Sequence, residues 1–597
     1  MRPLFLPALG LATPCALCTP CTALQRMKPF FPARHHISLF AGLLTLQLAM
    51  GWLLPNHYPP WLAFHSNAWV ACALLLIAGR GLLQVRTPVE LTTGGVVLLL
   101  VAAIPWLQHV AGLLPLASNA ALLVLYLLGA AGAYIVGHHW NKAQPAQPIA
   151  YVFMALAIAA VASAALATYQ WLGLAQDLGL MDIWVLPFAE GTRPYANMGQ
   201  TNQLASLLLC GLLGIGWAWR AGHIGSVLAW GLAAWVLWGV ALTESRTALL
   251  TLVLGVGFLT LRRPTFLQRG ARWAVQALFV FYLVCLGGKV YLAQALGLDM
   301  PLSLVVRSAG ELRWALWQMS WDASLHSPWV GYGWGNANAG YFVVFEEYRQ
   351  KFGNTYFAQS HNLVLDLALW IGWPLTIALC GLAAAWLWRG VRAIDSLPKA
   401  LVFSALMVLL IHAMLEFPLH YGYFLWPFCM LAGAFAALVG IDEPVRWRVK
   451  RSIALALVLG ALVLEAVIVL DYLQIEEAFT ELRFQVARVG TDHDESLPRT
   501  WFLTDWPDAI ALTRKTPREG MTQAEIDHWE ALMIYNTSPL AIRKVIGANK
   551  LNGHEDLARA WADRTCWLLS EKACAGLYDE WQKAPPPESG KTAASQQ

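Results

Sequence analysis

The stretch that decides the fold lies at residues 119–137 and reads NAALLVLYLLGAAGAYIVG. It holds no charged side chain and is long enough to cross a bilayer, whose hydrocarbon core of about 30 Å needs about 20 apolar residues in a helix. Similar runs recur along the chain and predict about thirteen transmembrane helices. The runs are 37–54, 67–79, 93–106, 119–137, 151–172, 201–219, 226–242, 247–261, 273–292, 361–387, 399–416, 421–440 and 452–471.

The composition of the 597 residues points the same way, because 58% are apolar, only 13% are charged, and the mean hydropathy is +0.51. A soluble domain carries about 25% charged residues. The composition therefore excludes a soluble enzyme, a disordered protein and a fibrous protein, and a net charge of +4 is too small to suggest a nucleic-acid partner. We predict an all-α polytopic membrane protein.

The orientation follows from the distribution of Lys and Arg, which mark the cytoplasmic loops. The short gaps on one side of the predicted membrane hold only Arg193 and Arg246. The rule therefore places the N-terminus in the cytoplasm, and the odd number of spans places the C-terminus outside. The gaps on the cytoplasmic side carry Lys28, Arg34, Arg80, Arg86, Lys142, Arg220, Arg262, Arg263, Arg269, Arg272, Arg389, Arg392, Lys399, Arg446, Arg448, Lys450 and Arg451.

The chain divides into four predicted parts. Residues 37–472 form the transmembrane domain, which includes a large outer loop at 293–360. Residues 473–583 alternate apolar and charged positions at helical spacing and predict a small helical domain outside the membrane. The last part, 584–597, has the composition of a disordered tail.

The segment 1–36 differs from the rest, with Cys15, Cys18 and Cys21 in its first part. This cysteine spacing is weak evidence for a metal site. We expect an N-terminal extension ahead of a true start near Met27, where a basic-then-apolar sequence begins.

Two clusters of polar residues occur at the outer ends of predicted spans. Residues 191–203 contain Arg193, Asn197, Gln200 and Asn202, which are suited either to a hydroxyl-rich or phosphorylated ligand or, as composition alone favours, to a loop that caps its own backbone. Thr243-Glu-Ser-Arg-Thr247 opens the eighth span. Arg246 there adds a cation to a helix N-terminus, which favours a phosphate over a simple surface pair with Glu244.

Two further clusters lie in and after the 293–360 loop. Arg313 and its neighbouring tryptophans suit an amphipathic helix at the interface, and the run PWVGYGWG at 328–335 suits either sugar stacking or aromatic anchoring. His361 and Asn362 follow at the mouth of the tenth span, where a histidine is suited to act as a general base at neutral pH. Together the clusters predict a reaction on an anionic lipid headgroup, with arginines on a pyrophosphate and no metal or other cofactor.

The order of these motifs resembles the O-antigen ligase/Wzy polymerase superfamily. Within it, PNHYPPWLAF at 55–64, RPYANMGQTNQ at 193–203 and HAMLEFPLHYGYFL at 412–425 resemble the PglL-type O-linked oligosaccharyltransferases, or pilin glycosylation ligases. The resemblance covers about residues 37–570 and implies a GT-C-like ligase architecture in the bacterial inner membrane. Asn67 and Thr201 depart from the residues usual in the family.

The resemblance implies a reaction as well. The donor would be a glycan on undecaprenyl pyrophosphate, transferred whole to a Ser or Thr hydroxyl of a periplasmic protein such as pilin. The family's essential histidine falls on His361, and its two arginines fall on Arg246 and Arg313, with Arg307 as a competitor for the second. Glu416 and His420 are expected either to contact substrate or support the site, or to form an internal ion pair.

Three alternatives remain open at this point. An O-antigen ligase would use lipid A-core as acceptor, and a Wzy polymerase would use another glycan. A lipid-linked oligosaccharide flippase is the alternative outside the enzyme class, although a transporter should show internal repeats and charges near the midplane.

Overall fold

The computed structural model describes residues 38–176, 183–188, 192–261, 269–298, 309–352, 357–442, 444–491, 494–535, 538–565 and 574. The predicted N-terminal extension, the predicted tail at 584–597 and Arg307 lie outside these residues.

The described chain is built mainly of helices. The first nine are α1 (Leu39–Met50), α2 (Phe64–Gln84), α3 (Thr93–Val110), α4 (Ala117–Ala143), α5 (Gln147–Trp171), α6 (Thr201–Arg220), α7 (Ser226–Thr243), α8 (Arg246–Leu261) and α9 (Arg269–Ala295). The next six are α10 (Ala309–His326), α11 (Ala337–Phe352), α12 (Leu363–Arg392), α13 (Leu397–Ala413), α14 (Gly422–Val439) and α15 (Arg451–Ala487). The last four are α16 (Asp505–Arg514), α17 (Gln523–Tyr535), α18 (Pro539–Leu551) and α19 (Glu555–Thr565).

Ten of the described helices are long and apolar enough to cross a membrane. Three shorter apolar helices, α1, α8 and α13, occupy three more of the predicted runs. A helical, polytopic membrane protein is therefore confirmed, whereas the count of thirteen spans stays a prediction. Helices α10 and α11 belong to the predicted outer loop.

A two-stranded sheet is the one departure from the all-α prediction in the part of the chain described here. Strand β1 (Val89–Thr92) pairs antiparallel with β2 (Pro444–Val449), with Val89 opposite Val449. Lys142 and Arg448 both donate to the Glu90 carboxylate, at 2.7 and 3.0 Å. The sheet therefore joins the segment before α3 to the segment before α15 on the side predicted to be cytoplasmic, and Lys142 connects α4 to it. The two strands are far apart in the sequence, so local patterning did not predict their pairing.

Helix α12 is broken at Gly372, whose φ of 74° and ψ of 167° are not helical. The run at 328–335 packs into the break. Trp373 N donates to Pro328 O, and Tyr332 N donates to Leu369 O, both at 2.7 Å. Because a break inside a membrane protein must satisfy the freed backbone groups, this glycine-rich run acts here as a backbone partner for α12.

We expect Gly372→Ala to lower the thermal stability of the protein, by about 1–3 kcal/mol or more, since this φ/ψ region is essentially restricted to glycine. A Cβ atom would also lie 2.5 Å from the carbonyl of Trp329. The measurement is thermal unfolding in detergent micelles. The matched control is Gly381→Ala on the same helix, where a Cβ meets nothing within 4 Å. Equal midpoints for the two variants would contradict the expectation.

The tail is tied to the membrane part by a single long helix. Helix α15 runs unbroken for 37 residues through the predicted boundary at 472/473. The buried Asp471 carboxylate on α15 accepts hydrogen bonds from the backbone amides of Trp501, Phe502 and Leu503. The division of the chain at this boundary stays a prediction. Cys574, in the predicted outer domain, is disulfide-bonded.

Candidate active site

Glu416 is the centre of a polar cluster built by residues from three segments of the chain. It follows α13, is only 3% exposed, and receives hydrogen bonds from Gln200 at 2.7 Å and Asn202 at 2.5 Å. Arg313 on α10 donates to the same carboxylate. His412, one helical turn earlier, lies 3.6 Å from it. Three segments far apart in the sequence thus converge on one buried carboxylate.

The charge of Glu416 is maintained by its neighbours. Burial alone would raise the pKa of Glu416, but His412 and Arg313 outweigh this effect and hold the pKa below its ordinary value. The carboxylate is therefore ionised at neutral pH and fixes the guanidinium of Arg313. His412 is oriented in turn by Ser206, whose hydroxyl lies 2.8 Å from Nδ1.

His361 lies in the turn immediately before α12, in a left-handed conformation with φ of 58°. Asn362 follows as the N-cap of α12, and its side chain accepts from Val364 N and Leu365 N at 3.0 and 3.3 Å. The imidazole packs edge-on against Phe417, with ring centroids 4.9 Å apart. Among the described residues, Nδ1 of His361 has no hydrogen-bond partner.

The surroundings of His361 favour its neutral form. Burial lowers the pKa of the imidazole below 6.5, Glu416 opposes this shift, and Arg313 adds to it. Neutral imidazole with an unengaged nitrogen is the form that can accept a proton.

His420 lies beside His361, but it faces a different carboxylate, that of Asp366. Its Nε2 is 3.3 Å from Oδ2 of the fully buried Asp366, in the first turn of α12. His420 and Glu416 therefore have different partners, and no ion pair joins them among the described residues. Asn362 also reaches the end of α13, where its amide donates to Met414 O at 3.2 Å.

A second cationic cluster surrounds the start of α8. Arg246 is the first, exposed residue of α8, and Ser245 caps that helix by accepting from Ala248 N at 3.2 Å. Arg193 lies 3.4 Å from the carbonyls of Thr243 and Glu244. The Glu244 carboxylate is paired with Lys289, a buried residue of α9, rather than with Arg246.

The two clusters share the segment that contains Arg193 at one end and Gln200 and Asn202 at the other. Between them, the amide of Asn197 donates to Leu53 O and Trp184 O, both at 2.8 Å, and accepts from Leu186 N at 3.1 Å. These bonds make Asn197 a support of the loop, as the capping alternative expected. Its contact with substrate stays a prediction.

The structure thus brings His361, Arg313, Glu416, Gln200 and Asn202 together and places Arg246 and Arg193 in the neighbouring cluster. Three functional candidates were missed by sequence reasoning: Asp366, His412 and Lys289. A single ionisable residue inside an apolar run is a signal that could have identified them.

In the described ranges, no group of three or more His, Cys, Asp or Glu side chains is arranged to hold a metal ion.

An apolar cavity of about 340 Å³ lies among α6, α7, α8, α9 and α13. Its wall on α8 begins at Thr251, which lies about 7.5 Å along the helix axis from Arg246 at about 1.5 Å per residue. Its wall on α6 begins at Leu209, about two turns from Asn202. The cavity therefore lies within the bundle below both clusters, on the helices that carry them. Its lining includes Leu209, Leu237, Leu252, Phe258, Phe279 and Met407.

Known protein families match the segments of the chain that carry the site. A family model described as "Protein glycosylation ligase" matches residues 194–219, and one described as "O-Antigen ligase" matches 231–380. A third, "Virulence factor membrane-bound polymerase, C-terminal", matches 400–577. The "General O-oligosaccharyltransferase" of Acinetobacter baylyi is 29% identical over 522 residues, covering 84% of this chain and 87% of that protein. The chain is homologous to this O-oligosaccharyltransferase, and the family-model matches support a PglL-type ligase.

A second relative in the same organism, "ComP-specific O-oligosaccharyltransferase", is 26% identical over 243 residues. That match covers 40% of this chain and 43% of the relative. The protein described here is accordingly an enzyme, a membrane glycosyltransferase. The O-antigen ligase match contains Arg246, Arg313 and His361, and the glycosylation-ligase match contains Gln200 and Asn202.

Proposed function

We propose that this enzyme transfers a preassembled glycan from undecaprenyl pyrophosphate to Ser or Thr hydroxyls of periplasmic proteins such as pilin. The observation that carries the proposal is the half-buried imidazole of His361 beside the Arg313–Glu416 pair, with its Nδ1 unengaged by any described residue. The enzyme would lie in the bacterial inner membrane with this face in the periplasm. Its partners are the lipid-linked donor, the acceptor protein and membrane lipids.

The donor is proposed to bind with its pyrophosphate between the two clusters and its polyprenyl chain in the apolar cavity. Arg246 is exposed at a helix N-terminus, where the helix dipole already favours an anion. Arg313 is held by Glu416 and supplies a second guanidinium. Arg307 remains a proposed competitor for that second role. The cavity supports a lipid-linked donor because it is almost wholly apolar and lies beneath Arg246.

The proposed reaction is a single displacement. Neutral His361 accepts the proton of the acceptor hydroxyl as its oxygen attacks the first sugar carbon. The bond from that carbon to the pyrophosphate oxygen breaks, and the arginines stabilise the negative charge that develops on the leaving group. Gln200, Asn202, Asn362 and His420 line the same region and are proposed to contact glycan or acceptor.

The test is transfer by the purified full-length protein. It is incubated with lipid-linked glycan and a pilin, and the products are identified by mass spectrometry. Glycan on Ser or Thr of the pilin is the expected result. Lipid A-core and free lipid-linked glycan are offered in parallel. Glycan only on lipid A-core would instead indicate an O-antigen ligase, and extended lipid-linked glycan would indicate a polymerase.

Arg246→Ala is expected to raise the KM for the donor about 10-fold or more, because a charge-assisted bond to phosphate contributes roughly 1.5–3 kcal/mol. The measurement is initial rate against donor concentration. The matched control is Arg389→Ala, an exposed arginine at the other end of α12 from the site. A donor KM that is equal in the two variants would show that Arg246 does not bind the pyrophosphate.

A further inference from the structure

Asp366 is a buried acid that the proposed reaction does not use. It lies in the first turn of α12, and its side chain has no solvent exposure. Its Oδ1 accepts from the amide of Ser360 at 2.8 Å, the residue immediately before His361. A buried carboxylate without a role in structure or chemistry is costly, so its position beside His361 calls for a function.

We propose that Asp366 is the positioning residue of His361: its carboxylate fixes the turn that presents the imidazole and, through His420, the aromatic wall on which the imidazole rests. The inference depends on the proposed function, in which His361 is the base.

The turn that carries His361 is held from both sides. Asp366 Oδ1 binds the amide before His361, while Ser360 Oγ donates to Asn362 O at 2.8 Å and accepts from Asn362 N at 3.1 Å. His361 adopts a φ of 58°, a conformation that is unfavourable for a non-glycine residue and persists only where its surroundings impose it. The Asp366–Ser360 bond is one of those constraints.

The second oxygen of Asp366 acts on the wall behind His361. Oδ2 lies 3.3 Å from Nε2 of His420, whose ring contacts both Trp370 and Phe417 at centroid distances of 5.0 and 5.6 Å. Phe417 in turn meets the His361 ring. The carboxylate thus holds the backbone before His361 by a hydrogen bond, and it lies at ion-pair distance, without hydrogen-bond geometry, from the His420 ring that contacts Phe417.

The charge of Asp366 also acts on His361. Burial lowers the pKa of the imidazole most. Of the charged or titratable groups that face it, Glu416 and Asp366 raise the pKa, whereas Arg313 and His420 lower it. Removing the Asp366 charge should therefore lower the pKa of His361 further, so that the neutral base survives to lower pH.

The experiment compares the full-length wild type with Asp366→Asn, which keeps the shape and removes the charge. We expect kcat to fall about 10- to 100-fold, as for a base displaced by about 1 Å, with donor KM within about twofold. The acid limb of kcat against pH should move to lower pH. The pH dependence of His361 carbethoxylation, followed by peptide mass spectrometry, should move in the same direction without any need for turnover.

Two further variants make the result decisive. Asp366→Glu keeps the charge and alters its reach, so it should lower kcat while leaving the acid limb near that of the wild type; this variant decides if Asp366→Asn does not fold. Asp505→Asn is the matched control, since Asp505 also accepts a backbone amide, that of Asn119 at 3.0 Å, in another part of the chain.

The outcomes separate the two proposals. An unmoved His361 labelling curve in Asp366→Asn, wild-type kcat in both Asp366 variants, or an equal shift in Asp505→Asn would each overturn the positioning role. A wild type that transfers glycan to no acceptor would remove the proposed function instead, and the labelling curves would still decide whether Asp366 governs His361.

Discussion

Replacing His361 with alanine is expected to reduce glycan transfer by about 10²–10⁴-fold, the usual contribution of a general base. The donor should still bind, because the cationic groups around Arg313 and Arg246 are untouched. The two quantities are measured separately, as transfer by mass spectrometry and as binding of the lipid-linked donor to the purified variant. Loss of donor binding in parallel with transfer would assign His361 to binding instead of proton transfer.

The matched control for this variant is His528→Ala. His528 is an exposed histidine of α17 whose contact with Asp508 is 3.3 Å long and half exposed to solvent. Exposed ion pairs contribute little to stability, so this variant should transfer at the wild-type rate. A similar loss in both variants would point to a general effect on folding or insertion.

The rate should also depend on pH in a defined direction. His361 acts in its neutral form, so transfer should fall as pH drops through the pKa of His361. Burial holds that pKa below 6.5. The rate should therefore stay level from about pH 8 to below about pH 6.5 and decline only in more acidic buffer. A decline that begins above pH 7 would argue against this base.

The second large effect is expected for Glu416→Ala. Its removal would leave the guanidinium of Arg313 and the amides of Gln200 and Asn202 without their shared acceptor. Glu416 is buried but the side chain of Arg313 is 34% exposed, so the cost should be smaller than the about 3–5 kcal/mol of a fully buried pair, and the thermal midpoint should still fall measurably. Transfer should fall at least about 100-fold, since Arg313 would no longer be fixed beside His361.

Glu416→Gln separates the two effects. It keeps a carbonyl oxygen for one amide and removes only the charge, so it should recover part of the stability but little of the transfer. The control is Asp395→Ala, which removes the exposed partner of Lys399 at the other side of the membrane part and should leave the thermal midpoint unchanged. A Glu416→Ala variant as stable as this control would contradict the assigned role of the pair.

The outline of the fold was predictable because a membrane span is a local property. Each apolar run contains in its own composition the reason to form a helix in lipid, and the predicted runs coincide with apolar helices of the structure. The break at Gly372 was not predictable in this way, because it depends on backbone partners from the 328–335 run and not on α12 alone.

The site was predictable in its residue types but not in its pairings. The choice of His361 and of the arginines came from polar side chains at one membrane face together with a family resemblance. The pairing of Arg313 with Glu416 joins residues 103 positions apart, and no periodicity encodes it. Lys289 and Asp366 were overlooked because each was counted as part of an apolar run, although a lone charge in such a run is itself a signal.

The hydrogen bonds from the backbone amides of residues 501–503 to Asp471, here called the clasp, bear on how chimeras of this protein and its relatives should be built. A swap of the outer module between relatives that cuts at the end of the apolar run would separate the carboxylate from its three amides and leave a buried charge unsolvated. A junction placed after Leu503 would carry helix and clasp together from one parent. If hybrids joined at the end of the apolar run fail, the failure would reflect the lost contact between Asp471 and residues 501–503. It would not indicate which acceptor the outer module recognises.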